Sequence, residues 1–99
     1  MSAEMDRIQG RAAAQLETLR AVRSRLEAID VAVSSPDRRV RVRLDGVCAL
    51  TGLVVAPAAM RSDPAALGRL IVATCGVAAR EVMARRAAIL TDFHEEFSA

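Results

Sequence analysis

The chain is 99 residues long, 53% hydrophobic but only 2% aromatic, with a formal charge of +2. That length fits one domain, spanning residues 1–99, with a core of Leu, Val, Ile, Met and Ala. A core of small aliphatics suits packed helices rather than a ligand pocket with aromatic walls, so no small-molecule substrate is expected. So small a net charge is weak for a protein that coats nucleic acid.

All basic charge is arginine, with no lysine; a GC-rich genome and selection for phosphate contact would each produce that. A chain this short buries a modest fraction of its surface. Cys48 and Cys75 stand 27 apart with no neighbouring Cys or His, which is not zinc spacing and reads as two reduced, buried thiols. Without metal or disulfide support, a second copy is the natural extra core, and a homodimer is expected.

The acidic start Met1-Ser2-Ala3-Glu4-Met5-Asp6 lacks the apolar stretch of a secretory signal. The longest apolar run, Leu70 to Ala79, is about half the ~20 residues that span a bilayer. No membrane segment is expected, and the expected location is cytoplasmic.

Along the chain, Met5, Ile8, Ala12, Gln15, Leu19, Val22, Leu26, Ile29 and Val33 recur every third or fourth residue, and all but Gln15 are apolar. This predicts a helix over about 2–33, ~45 Å long at 1.5 Å per residue. It is too long for a small sheet to cover, so it projects or lies against another subunit. Gln15 is either solvated or fixes the register between paired helices. Ser34-Ser35-Pro36-Asp37 then breaks the helix.

Next the period changes to 2. Arg39, Arg41 and Arg43 alternate with Val40, Val42 and Leu44, which puts the arginines on one strand face and the aliphatics on the other. Asp45-Gly46 predicts a tight turn with positive φ at both positions. Val47 to Val55 returns, with Gly52 a bulge or bend, and Pro57 closes a sheet spanning about 38–56.

Asp63 as cap and Pro64 as first position open a second helix over about 64–97. Its apolar face runs through Leu67, Leu70, Ile71, Thr74, Cys75, Ala78, Val82, Ile89, Phe93 and Phe97. Val72, Val77, Met83 and Leu90 lie off that face, which predicts packing on more than one side. The small residues from Ala73 to Ala79 mark either a crossing over the sheet or a symmetry mate, or simply an Ala-rich helix. The predicted fold is α+β, two long helices flanking a small antiparallel sheet, either hairpin or three-stranded meander.

From Val40 to about Arg80 the chain resembles the YbaB/EbfC family of bacterial nucleoid-associated proteins. The resemblance rests on Val40-Arg41-Val42-Arg43-Leu44, Asp45-Gly46, Leu50-Thr51-Gly52-Leu53-Val54-Val55 with Pro57, and then Leu67, Leu70-Ile71-Val72-Ala73, Ala78 and Arg80. It implies a dimer whose sheets meet and whose helices project as tweezer arms, binding double-stranded DNA in the nucleoid with little sequence preference. Some actinobacterial relatives look instead like secretion-associated accessory proteins, which implies a protein partner for the arms and no DNA. Two departures stand out. The family's turn often carries a second glycine where this chain has Cys48, and its lysine-rich helices are here nearly charge-balanced.

No catalytic centre, metal or cofactor is expected. The single histidine, His94, has no second histidine four residues on, and neither cysteine has a histidine nearby in sequence. Charge is the informative signal. Residues 1–37 carry five Arg and six acids, residues 38–61 five Arg and one acid, and residues 62–99 four Arg and five acids. Positive charge therefore gathers on the first predicted strand. Arg39, Arg41 and Arg43, with Arg38 beside them, form a candidate phosphate-contacting row. Their alternate spacing of about 6.6 Å is close to that of phosphates along one DNA strand. The same row also reads as a solvated face that discourages aggregation, or as a seat for an acidic protein. Secondary candidates are Arg7, Arg11, Arg20 and Arg23 on the first helix and Arg80, Arg85 and Arg86 on the second. No aromatic interleaves the arginines, so duplex backbone rather than stacked single strands is the expected nucleic-acid partner.

Overall fold

A computed structural model describes residues 2–98. Helix α1 spans Ala3–Glu27. Ser2 caps it, its hydroxyl accepting the Met5 N–H at 3.2 Å, and Glu4 and Asp6 complement the helix dipole in the first turn. Then come β1 (Asp30–Ser34), β2 (Val40–Asp45) and β3 (Leu50–Val55), a 3-10 turn over Pro57–Arg61, and α2 (Pro64–Ser98). The strands form an antiparallel meander in the order β1-β2-β3. The architecture is α+β, with two helices flanking a three-stranded antiparallel sheet.

The first helix is shorter than its repeat predicts. It stops at Glu27, and residues 30–34 are β1 rather than helix. The reason lies in the residues themselves: Ile29, Val31 and Val33 fit a period of 2, and Ile29 and Val33 also continue the 3-4 stripe. Asp-Val-Ala-Val is a poor helix former, and pairing with β2 satisfies its backbone from Asp30↔Asp45 through Ser34↔Arg41. Pro36 therefore sits in a hairpin turn rather than ending a helix.

The β2–β3 connection also departs from expectation. It is a four-residue loop, 46–49, with the Cys48 N–H donating to the Asp45 carbonyl at 3.0 Å. Gly46 does not take positive φ; Cys48 does, at 61°. Gly46 answers a steric demand instead, since a Cβ there would collide with the Leu26 carbonyl oxygen at the end of α1. Gly52 lies beside the predicted irregularity, a register shift between Arg43 and Leu44.

Asp63 opens α2 as predicted, its carboxylate accepting the Ala65 N–H at 3.4 Å. The core joins Ile29, Val31, Val40, Val42 and Leu44 to Ala78, Val82 and Ile89 of α2. Thr74 and Ala78 are both buried, so the small-residue stretch is where α2 crosses the sheet. Burial of Thr74 is tolerated because its hydroxyl donates to the Leu70 carbonyl at 2.7 Å.

Helix α2 packs on β1, β2 and α1. Arg25 pairs with Asp92 at 3.2 Å, and Arg11 and Gln15 line one depression with Glu96 and Phe97. Antiparallel packing of this kind makes an arm that stretches the molecule to 75 × 17 × 16 Å. No residue of α1 is buried.

The side toward β3 is left open. Leu50 is 50% exposed and Leu53 44%, while Val72 of α2 is 72% and Met83 57% exposed. Arg86 reaches the β2–β3 turn while Arg85 reaches β1. Met83 and Leu90, three and four residues from Arg86, therefore share the β3 side of the helix. Val72, Met83 and Leu90, predicted to lie off the main face, do so on this side, while Val77, the fourth, lies on the opposite flank beside Val33 and Ser34.

Candidate nucleic-acid interface

Strand β2 alternates as its sequence requires: Val40, Val42 and Leu44 are buried, while Arg41 and Arg43 are exposed on the opposite face. Cross-strand partners share a face. Arg41 therefore lies between Ser34 and Val54, and Arg43 between Ala32 and Gly52. A shallow depression of about 290 Å³ runs between the two arginines, bordered by Thr51, Gly52 and Val54. Phe93 and Phe97 sit against each other on the arm, 5.1 Å between ring centres. The site offers guanidiniums and hydroxyls and no ring on which a base would stack.

The predicted row is not uniform. Arg39 is drawn into the β1–β2 turn: its Nε donates to Asp37 Oδ2 at 2.8 Å, its Nη1 to Ser62 Oγ at 2.8 Å, and its backbone N–H to Asp37 Oδ1 at 3.1 Å. Ser35 donates its hydroxyl to the same carboxylate at 2.7 Å. These donors, Ser35 first and then Arg39, hold the Asp37 carboxyl at about 2, below its ordinary 3.8. Arg43 is paired with Asp30 at 3.5 Å. Arg41 donates only to the Ser34 hydroxyl, at 3.1 Å, and has no carboxylate partner among the described residues. Arg38 is exposed in the turn with φ at 60°.

The secondary candidates do not converge on this face. Arg86 donates to the Gly46 carbonyl at 2.9 Å, and Arg85 donates to the Asp30 carbonyl at 3.3 Å and Glu81 at 3.1 Å. Both arginines brace the sheet against α2. Arg80 is exposed and lies back along its own helix past Gly76. Arg20 and Arg23 pair with Glu17 and Glu27. Arg7 donates to its own helix at Ala3. Arg7 and Arg11 stand 20 and 16 residues before the end of α1, about 30 and 24 Å along the helix from the sheet.

Asp30, Ser34 and Thr51 belong to the site and escape a reading of sequence. Asp30 and Ser34 meet the arginines only through the β1–β2 register, which is hidden while residues 30–33 are read as helix. Asp37 was findable, since Asp-x-Arg in a breaker cluster is an ordinary turn pairing.

Other chemistry is sparse. Among the described residues no group of three His, Cys, Asp or Glu could hold a metal. Cys48 and Cys75 are free and only half-buried. No described helix is long and apolar enough to cross a membrane. In comparisons with known proteins, none of the curated proteins matches significantly. A family model described as the YbaB/EbfC DNA-binding family matches residues 1–97.

Proposed function

The chain belongs to the YbaB/EbfC DNA-binding family, and from that we propose that it binds double-stranded DNA as a homodimer, through the phosphate backbone and with little sequence preference, in the bacterial nucleoid. One observation carries the reading: the outer sheet face presents Arg41 and Arg43 side by side, pointing away from both helices. Two arginines one pleat apart match a phosphate track. The segment that carries this strand is the basic one: residues 38–61 hold five of the 14 arginines and one of the 12 acids, while Asp30 of β1 faces Arg43 from outside it.

The open β3 side supports the dimer. Leu50 and Leu53 together with Val72, Met83 and Leu90 form an apolar corner too extended to leave in water. A second copy would cover it with the same residues, as two-fold pairing requires, and would double the arginines offered to one duplex.

The test is electrophoretic titration of unrelated duplexes of equal length at two salt concentrations. Equal affinity across sequences and a steep loss with salt are expected. Sequence-dependent affinity, or no binding at low salt, would remove the proposal.

A second reading rests on a different observation. Met5, Ile8, Leu16 and Leu19 of α1 and Phe97 of α2 are exposed along the arm, where a helical protein partner would seat. That reading predicts co-purification with such a partner and no duplex binding at physiological salt.

A further inference from the structure

We infer that the depression over Gly52 is the phosphate seat of the outer sheet face, with Arg41 as its anchor and Asp30 as an internal competitor that withholds Arg43. The inference rests on the DNA-binding reading and specifies how that face is regulated. It starts from the unlike states of three arginines that the sequence presents as equals.

Arg39 has both ends of its guanidinium committed, to Asp37 and to Ser62. Freeing it would dismantle the turn that leads into β2, so it holds the strand rather than the ligand. Arg43 faces a carboxylate at 3.5 Å with both side chains about half exposed. A carboxylate against a guanidinium occupies the place that a phosphodiester would take, since both present two oxygens to the same planar fork. Arg41 has only the neutral Ser34 hydroxyl at 3.1 Å, which a charged phosphate oxygen would replace at little loss.

The floor between the two arginines is low because Gly52, directly opposite Arg43, has no side chain. A Cβ there would already stand 3.4 Å from the Arg43 Cβ. The register shift beside it brings in Thr51, whose hydroxyl donates to the Arg43 carbonyl at 3.2 Å. The resulting depression of about 290 Å³ has room for a phosphate group and several waters, each with a share of about 30 Å³. Two other acids lie close. Asp45 is occupied by the Val47 and Ala49 N–H groups of its own turn, and Asp37 by Ser35 and Arg39. Asp30, on the β1 side of Arg43 and across it from the depression, is thus the carboxylate from which a phosphate must draw that guanidinium.

Duplex affinity of four exposed-site variants tests this, with thermal melts confirming that each is folded. Asp30→Asn should bind about 2- to 5-fold more tightly, the scale of an exposed ion pair. Arg41→Ala should lose roughly tenfold, the scale of one charge-assisted contact. Arg43→Ala should cost more in the Asp30→Asn background than alone. Gly52→Val, which fills the depression and suits a strand, should weaken binding. If the parent chain binds duplex DNA while Asp30→Asn leaves affinity unchanged or lowered and Arg41→Ala leaves it unchanged, the seat is elsewhere and only the broader reading survives. If the parent chain binds no duplex at low salt, both fall.

Discussion

The two turns that flank β2 reach one backbone geometry by different means. Between β1 and β2, the Arg38 N–H closes on the Ser35 carbonyl at 2.9 Å; between β2 and β3, the Cys48 N–H closes on the Asp45 carbonyl at 3.0 Å. In each, the closing residue is left-handed, Arg38 at φ 60° and Cys48 at φ 61°. A side chain at the first position ties down the turn's far side: Ser35 Oγ takes the Val40 N–H, and Asp45 Oδ1 takes the N–H groups of Val47 and Ala49. The difference lies in what each turn is anchored to. The second is fitted sterically against the end of α1 through Gly46, with Arg86 holding its carbonyl. The first is held by an ionic set of Ser35, Asp37, Arg39 and Ser62. The strand that presents the arginines is therefore clamped by packing at one end and by charge at the other.

The steric anchor should be the harder to lose. Gly46→Ala drives a methyl into the Leu26 carbonyl and should destabilise the protein by roughly 3 kcal/mol, the upper end for a point substitution, read from the urea midpoint. A smaller effect would mean that the α1 terminus yields and the turn is not fitted to it. At the ionic end, Ser35→Ala leaves the buried Val40 N–H without its partner and should cost about 2 kcal/mol by the same measurement. The left-handed positions should respond in the opposite direction. Arg38→Gly relieves backbone strain and should gain roughly 0.5–1 kcal/mol. Cys48→Gly should gain less, because it gives up a half-buried side chain packed against the core.

Acid gives the finest discrimination between the two ends. The Asp37 carboxyl sits at about 2 against an ordinary 3.8, so its ionised form favours the folded chain. That contribution is complete above the ordinary value and is lost as pH falls from about 3.8 through about 2. Hydrogen exchange across that interval should show amides 37–40 loosening as the Asp37 carboxylate is protonated. In Asp37→Asn that pH dependence should vanish.

Most of this architecture is legible in the residues. The Val/Arg alternation of β2, the Asp63-Pro64 start of α2 and the Gly52 irregularity all appear where local chemistry puts them. Strand β1 was hidden because Ile29 and Val33 serve a 3-4 stripe and a 2-period equally, and pairing with β2 decides between them. Asp45-Gly46 marks the turn but not its strain. The left-handed position is Cys48, where the family often has glycine, so the resemblance held a clue that the Asp-Gly pair obscured. The arginine row was visible, but its inequality was not. It depends on Asp30 and Ser34 arriving from β1, and therefore on a register that no local pattern encodes.

We propose that duplex DNA rests on the outer sheet face. Amide chemical-shift mapping during titration with a short duplex tests it most directly. Shifts should concentrate at Ser34, Arg41, Arg43, Thr51 and Gly52, with α1 from Arg7 to Arg23 silent. Shifts confined to that stretch of α1, with the sheet unmoved, would contradict it.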